Sequence, residues 1–275
     1  MKIICFLTVK PPKIFFDFCK RLKSIDYRVS VCIDDDNYVV SPDKDIDIIK
    51  INRTICENAG YKNLVAWFTN RACSREKALY YYNRIDKTDW TDIWFIEEDV
   101  FVPTVDTIRL IDQKESNRTA DLLSASNSIT TPQTDMSGWW WPLVLRHTKL
   151  NPPYSSSMIC AIRVSKQMMM YIDQYAKQHL NMFMDEAFFN TIALKNNLIV
   201  ITPLELAPID CCQAWRIGDI DRFKLYHPVK NIQQQYVFRE YIETGHVSDH
   251  DKHLLDSTTT SYSNKNIKRH HHNTR

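Results

Sequence analysis

Three carboxylates, Glu97-Glu98-Asp99, follow the run Ile93-Trp94-Phe95-Ile96 and precede Val100-Phe101, so they interrupt an apolar segment of strand length. A run of that kind enters a core, and unpaired carboxylates at its end carry a desolvation penalty of several kcal/mol unless something positive meets them. A divalent cation is the simplest answer. Mg²⁺ and Mn²⁺ take carboxylate oxygens and share their remaining positions with water and substrate phosphates. The plainer alternative is an acidic loop in solvent, and the apolar flanks on both sides favour the cation.

Four other groups have residue types suited to chemistry. Asp185 and Glu186 open a helical pattern that runs to Ala193, a position that also suits acids on helix-dipole grounds alone. Arg71, Arg75 and Lys77 cluster at the start of a helix predicted over 70–85, with Ser74 as its cap and Glu76 in its first turn. Cations at a helix N-terminus make an anion site, although solvated surface charge would look the same in sequence. Asp34-Asp35-Asp36-Asn37 ends a strand and reads as a ligand contact or as a turn. Trp139-Trp140-Trp141 lies between Gly138 and Pro142, and three consecutive rings cannot all face one core. At least one ring is therefore displayed, with a face suited to a sugar or a base; a hydrophobic plug beneath a loop is the alternative.

The elements that must position these groups follow from apolar patterning. Strands are predicted over 2–9, 27–33, 45–51, 93–96, 121–129, 157–162 and 198–201, and helices over 14–22, 70–85, 165–178 and from 184. Strand, helix and strand in quick succession imply right-handed crossovers and a mostly parallel α/β sheet covered on both faces. Ligands of such sheets bind beyond the carboxyl ends of the strands, which places Thr8, Val9 and Lys10 on one rim with Asp34, Asp35 and Asp36. The Met168-Met169-Met170 run reads as core filler.

Composition limits the function. The chain has 275 residues, 44% hydrophobic and 25% charged, enough for one substantial core. A net charge of +2 gives no strong field for nucleic acid or an anionic membrane. With only 4 glycines there is no glycine-rich phosphate loop. Eight cysteines without a C-x-x-C pair, two of them adjacent at Cys211-Cys212, point to free buried thiols in a reducing compartment. The N-terminal apolar run is too brief for a signal peptide and ends at Pro11-Pro12, and no run reaches bilayer length, so a soluble, cytoplasmic protein is expected. The Asn52 and Asn117 sequons then carry no glycan. Residues 246–275 turn polar and end in His270-His271-His272, whose spacing is not that of a zinc site; a disordered tail is expected.

Taken together, these residues resemble the metal-dependent glycosyltransferases of GT-A fold, over residues 2–230, most of the chain. The family's strand ending in a D-x-D or E-x-D motif is matched by Glu97-Glu98-Asp99, its later helix start with an acid by Asp185-Glu186, and its closing histidine by His227 before Pro228. The wording around Ser74-Arg75-Glu76-Lys77-Ala78-Leu79-Tyr80-Tyr81 is similar to glycosyltransferases encoded by large DNA viruses of algae and protists, which would put the protein in the host cytoplasm. The resemblance implies a single domain over 1–245, with a donor-binding half to about 105 and an acceptor-binding half beyond it. It implies a nucleotide-sugar donor, UDP-linked by preference, a glycan or glycoprotein acceptor, and Mn²⁺ or Mg²⁺ held by Asp99, Glu97 and His227. Thr8, Val9, Lys10, Asp34, Asp35, Arg75, Lys77, Glu97, Glu98 and Lys230 would meet the donor, and Trp139, Trp140 and Trp141 the acceptor. Glu186, with Asp185 as second choice, would be the base, so the configuration at the anomeric carbon would invert. The first acid is glutamate and only Gly138 represents the acceptor loop, which leaves the donor sugar open. A nucleotidyltransferase of similar fold and a non-catalytic glycan-binding protein are the other two readings; Thr8-Val9-Lys10-Pro11-Pro12 lacks the glycines of the former.

Overall fold

The computed structural model describes residues 1–24, 26–40, 43–65, 69–210 and 213–256; Cys211, Cys212 and the terminal histidine run lie outside them. The strands are β1 (Lys2–Thr8), β2 (Tyr27–Ile33), β3 (Asp47–Ile49), β4 (Asn63–Val65), β5 (Thr69–Arg71), β6 (Asp92–Glu97), β7 (Leu122–Leu123), β8 (Ser128–Ile129), β9 (Ser155–Ser156), β10 (Ala161–Ser165) and β11 (Val200–Ile201). The helices are α1 (Lys13–Leu22), α2 (Arg53–Asn58), α3 (Ser74–Tyr80), α4 (Thr107–Gln113), α5 (Glu115–Arg118), α6 (Trp141–His147), α7 (Lys166–His179), α8 (Asp185–Lys195), α9 (Ile232–Thr244) and α10 (Lys252–Asp256).

Seven strands form one mixed sheet in the order β11-β7-β10-β6-β1-β2-β3. Every pairing in it is parallel except those of β10 with β6 and β7. This is the helix-flanked, mostly parallel central sheet expected from the sequence; β4 with β5 and β8 with β9 form two small antiparallel pairs beside it. The period-2 alternation of a strand divides its side chains between two cores. Ile3, Cys5 and Leu7 of β1 with Ile93 and Phe95 of β6 pack under α3, α7 and α8. Ile4 and Phe6 with Trp94 and Ile96 pack under α1 and α4. Gly60, at φ +89°, ends α2 where a Cβ would stand 2.2 Å from the Ala176 carbonyl of α7, so only glycine allows this approach.

Several expected elements are revised by hydrogen bonding that apolar patterning does not report. The strand expected over 121–129 splits into β7 and β8, because the Asn190 amide binds Ser124 Oγ, the Ser126 carbonyl and Asn127 Oδ1 and draws the chain off the sheet. The strand expected over 157–162 begins later, at Ala161, after the short β9. The helix expected over 70–85 starts at Ser74 after β5, and its last turn, Tyr81–Ile85, is a π-helix. Cys73 rather than Ser74 is the cap, its N–H donating to Glu76 Oε2 at 2.9 Å. Met168 and Met169 are buried, but Met170 faces outward. Past the expected boundary at 245 the described residues continue to Asp256, where α10 packs on α9 and Gln234 Nε2 donates to the Leu254 carbonyl; the rest of the expected tail lies outside the described residues.

A buried polar knot lies at the opposite end of the sheet from the carboxylate triplet. Asp112, 3% exposed, accepts from Tyr27 Oη at 2.5 Å, Arg163 Nη1 at 2.6 Å and Trp94 Nε1 at 3.2 Å, with Lys2 Nζ at 3.2 Å. Arg163 has no solvent exposure. Removing its carboxylate leaves a buried charge without its main partner, so Asp112→Ala is expected to lower stability by about 3–5 kcal/mol in urea unfolding.

Candidate active site

Parallel pairing of β1 with β6 puts Leu7 opposite Glu97, so the chain leaving β1 and the chain leaving β6 emerge side by side. Between them opens a cleft of about 350 Å³ whose walls include Thr8, Val9, Arg75, Glu97, Glu98, Asp99, Asp185 and Lys230. The expected acids thus end on a cavity rather than on open surface. All three are half-buried. Main-chain bonds fix their positions: Val229 N–H donates to the Asp99 carbonyl at 2.7 Å, and Gln235 Nε2 to the Glu98 carbonyl at 2.8 Å.

Arg75 joins the two acid groups that are distant in sequence. Its Nη2 meets Glu97 Oε1 at 2.5 Å and its Nη1 meets Asp185 Oδ2 at 2.8 Å, while Nη2 also donates to the Ile159 carbonyl. At 4% exposure such a guanidinium would be destabilised by burial, but the charges of Glu97 and Asp185 outweigh that and keep its pKa above the ordinary arginine value. The fork geometry of arginine, with two carboxylates on separate nitrogens, accounts for the residue type.

His227 stands beside Asp99, with Nε2 3.5 Å from Oδ1, and its Nδ1 binds the Asp210 carbonyl. Burial would depress its pKa, yet the Asp99 carboxylate and the Asp210 carbonyl raise it above the usual histidine value. The His227-Pro228 peptide is cis. Glu97, Cys160 and His227 each present a ligand atom, and these atoms lie within 4.8 Å of one another. A carboxylate, a thiol and an imidazole thus converge, with Asp99 beside the imidazole, and such a donor set fits a divalent cation.

The two acids of α8 have different surroundings. Asp185 lines the cleft and is held by Arg75; Glu186 is not among the lining residues. No side chain binds the Glu186 carboxylate among the described residues, and burial together with the neighbouring Asp185 charge pushes its pKa up to about 7. Burial also raises the Glu98 carboxyl, partly offset by the Val9 N–H at 3.2 Å.

The remaining candidates fall outside the cleft lining. Lys77 has no exposure; its Nζ is held at 2.5 Å by the Asp34 carbonyl and at 2.5 Å by Asp36 Oδ1. It fastens the loop after β2. Asp34 also meets Arg53 at 3.4 Å, and Lys10 pairs with Asp35 at 3.0 Å on the neighbouring rim. Arg71 belongs to β5, not to the start of α3. Sequence reasoning missed Cys160, whose carbonyl accepts the Glu97 N–H at 2.8 Å, because the antiparallel register of β10 against β6 has no local signature.

The tryptophans divide as their spacing requires. Trp139 and Trp140 are 49% and 45% exposed, whereas Trp141 is 7% exposed and stacks on Tyr154. The exposed pair frames a separate surface hollow with Pro142, Leu143 and Arg146, sharing no residue with the acidic cleft. Trp141→Ala is expected to destabilise by about 3–5 kcal/mol. Trp139→Ala and Trp140→Ala should leave the melting temperature nearly unchanged, as parallel melting curves would show.

No protein-family model and no curated protein matches the chain. Among solved structures it is similar to the crystal structure of galactosyltransferase LgtC in complex with donor and acceptor sugar analogues, at 12% identity and a TM-score of 0.43, over 93% of this chain and 100% of that one. So distant a likeness assigns this chain neither an activity nor a substrate. Among the described residues no helix is long and apolar enough to cross a membrane.

Proposed function

We propose that this chain is a glycosyltransferase that moves a sugar from a nucleotide-diphosphate donor, UDP-linked by preference, to a hydroxyl of a glycan or glycoprotein. Mn²⁺ or Mg²⁺ would be held by Asp99, Glu97 and His227. One observation carries the reading: a single cleft at the carboxyl ends of β1 and β6 holds the Glu97-Glu98-Asp99 triplet, with His227 3.5 Å from Asp99 and Arg75 tying Glu97 to Asp185. When bound, the cation acts as a Lewis acid on the leaving diphosphate.

The other tasks fall to the chain itself. Thr8, Val9 and Lys230 line the cleft, so these residues meet the donor's phosphate oxygens. The rim formed by Lys10, Asp34 and Asp35 continues from there and receives the nucleoside. Lys77 acts indirectly, by holding the Asp34 loop in place. Arg75 orients Glu97 and Asp185 toward the donor sugar. Glu186 takes the proton of the attacking hydroxyl, with Asp185, already paired with Arg75, as second choice. Direct attack with a base on the far side inverts the anomeric centre. Trp139 and Trp140 offer ring faces to acceptor sugars.

The test is free nucleotide diphosphate released from a panel of nucleotide sugars with Mn²⁺, with and without chelator. Release that stops with chelator supports the transferase. Pyrophosphate as product would instead indicate a nucleotidyltransferase, and no release with retained glycan binding a non-catalytic protein.

A further inference from the structure

Cys160 is buried at the edge of the second core, and among the described cysteines it is the one whose Sγ stands with a carboxylate and an imidazole. Its Sγ, a Glu97 carboxylate oxygen and a His227 ring nitrogen lie within 4.8 Å of one another. These donors come from three segments: the end of β6, the approach to β10, and the turn before Pro228. Each is fixed by its main chain. The Glu97 N–H donates to the Cys160 carbonyl at 2.8 Å, and the His227 N–H to the Pro208 carbonyl at 3.2 Å. The Asp210 carbonyl binds Nδ1 of His227, which turns Nε2 toward Asp99. Arg75 takes one oxygen of Glu97 and leaves the other.

We propose that Cys160 is a ligand of this metal centre and shifts its preference toward thiophilic cations of the zinc class. The inference rests on the metal centre of the function proposed above. Carboxylate and imidazole alone suit Mn²⁺ or Mg²⁺, whereas an added thiolate selects softer ions such as Zn²⁺, Co²⁺ and Cd²⁺. On binding, the sulfur–metal bond forms as the S–H bond breaks, and the proton passes to the buffer; no electron is transferred. Neither the acid triplet nor the histidine gives this selectivity.

The full chain and its Cys160→Ser variant are titrated with Co²⁺, Cd²⁺ and Mn²⁺ alone. The wild type should show sulfur-to-cobalt charge-transfer absorption that is lost in Cys160→Ser. Cd²⁺ affinity should fall about tenfold or more in the variant, and Mn²⁺ affinity by less than about threefold. An unchanged band with unchanged Cd²⁺ affinity overturns the role of Cys160 while the centre itself stands. If Asp99→Ala binds Mn²⁺ as well as the wild type does, the centre itself is wrong. Should Cys160→Ser fail to fold, X-ray absorption of the wild type with one equivalent of Zn²⁺ decides: a sulfur neighbour supports the assignment, and oxygen and nitrogen alone overturn it.

Discussion

Asp99→Ala is expected to abolish Mn²⁺-dependent donor binding and to lower turnover on the order of 10³-fold, the scale set by losing one preorganised electrostatic contact at a developing charge. The fold should survive. Asp99 is half-buried, and its structural contact is made by its main-chain carbonyl with Val229, which alanine retains. His227 loses the carboxylate that raises its pKa, so its titration, followed by NMR, should move down in the variant. Calorimetry with UDP in the presence of Mn²⁺ and of chelator measures the binding loss. Turnover equal to that of the wild type would remove Asp99 from the site.

Glu186→Gln is expected to lower turnover by about 10²- to 10⁴-fold with little change in donor affinity, because only the proton transfer is removed. The sign of the pH dependence follows from burial. A carboxyl pushed up to about 7 is protonated below that pH and basic above it. Turnover of the wild type should therefore rise through about pH 7 and fall away on acidification, and the residual rate of Glu186→Gln should lack that limb. If Asp185→Asn slows turnover and Glu186→Gln does not, the two acids exchange roles. Asp185→Asn also weakens the grip of Arg75, so its loss should appear in donor affinity as well as in turnover.

The parts of the fold that depend on local pattern were legible. The continuous apolar runs of β1 and β2, the helical spacing of α1 and the Ser165 cap of α7, which accepts the Met168 N–H, lie within a residue or so of expectation. Elements held by distant side chains were not legible. The break between β7 and β8 depends on Asn190, and α10 is fixed by a bond from Gln234. The candidate site divides in the same way. The carboxylate triplet was visible because charge at a strand end is itself anomalous. Arg75 and Lys77 look alike in sequence, two cations in one helical turn, yet one faces the cleft between two acids and the other is sealed against the loop of Asp34. Only the direction of each side chain separates them. Cys160 gave no signal at all, since a cysteine inside the strand expected over 157–162 reads as core until the strand opposite it is known.

A crystal structure of the chain with UDP and Mn²⁺ should show one ion touching Asp99 and His227, with the diphosphate lying between that ion and Lys230 beside Thr8 and Val9. An ion and nucleotide bound away from the carboxyl ends of β1 and β6, with Glu97, Glu98 and Asp99 making no contact to either, would contradict this placement.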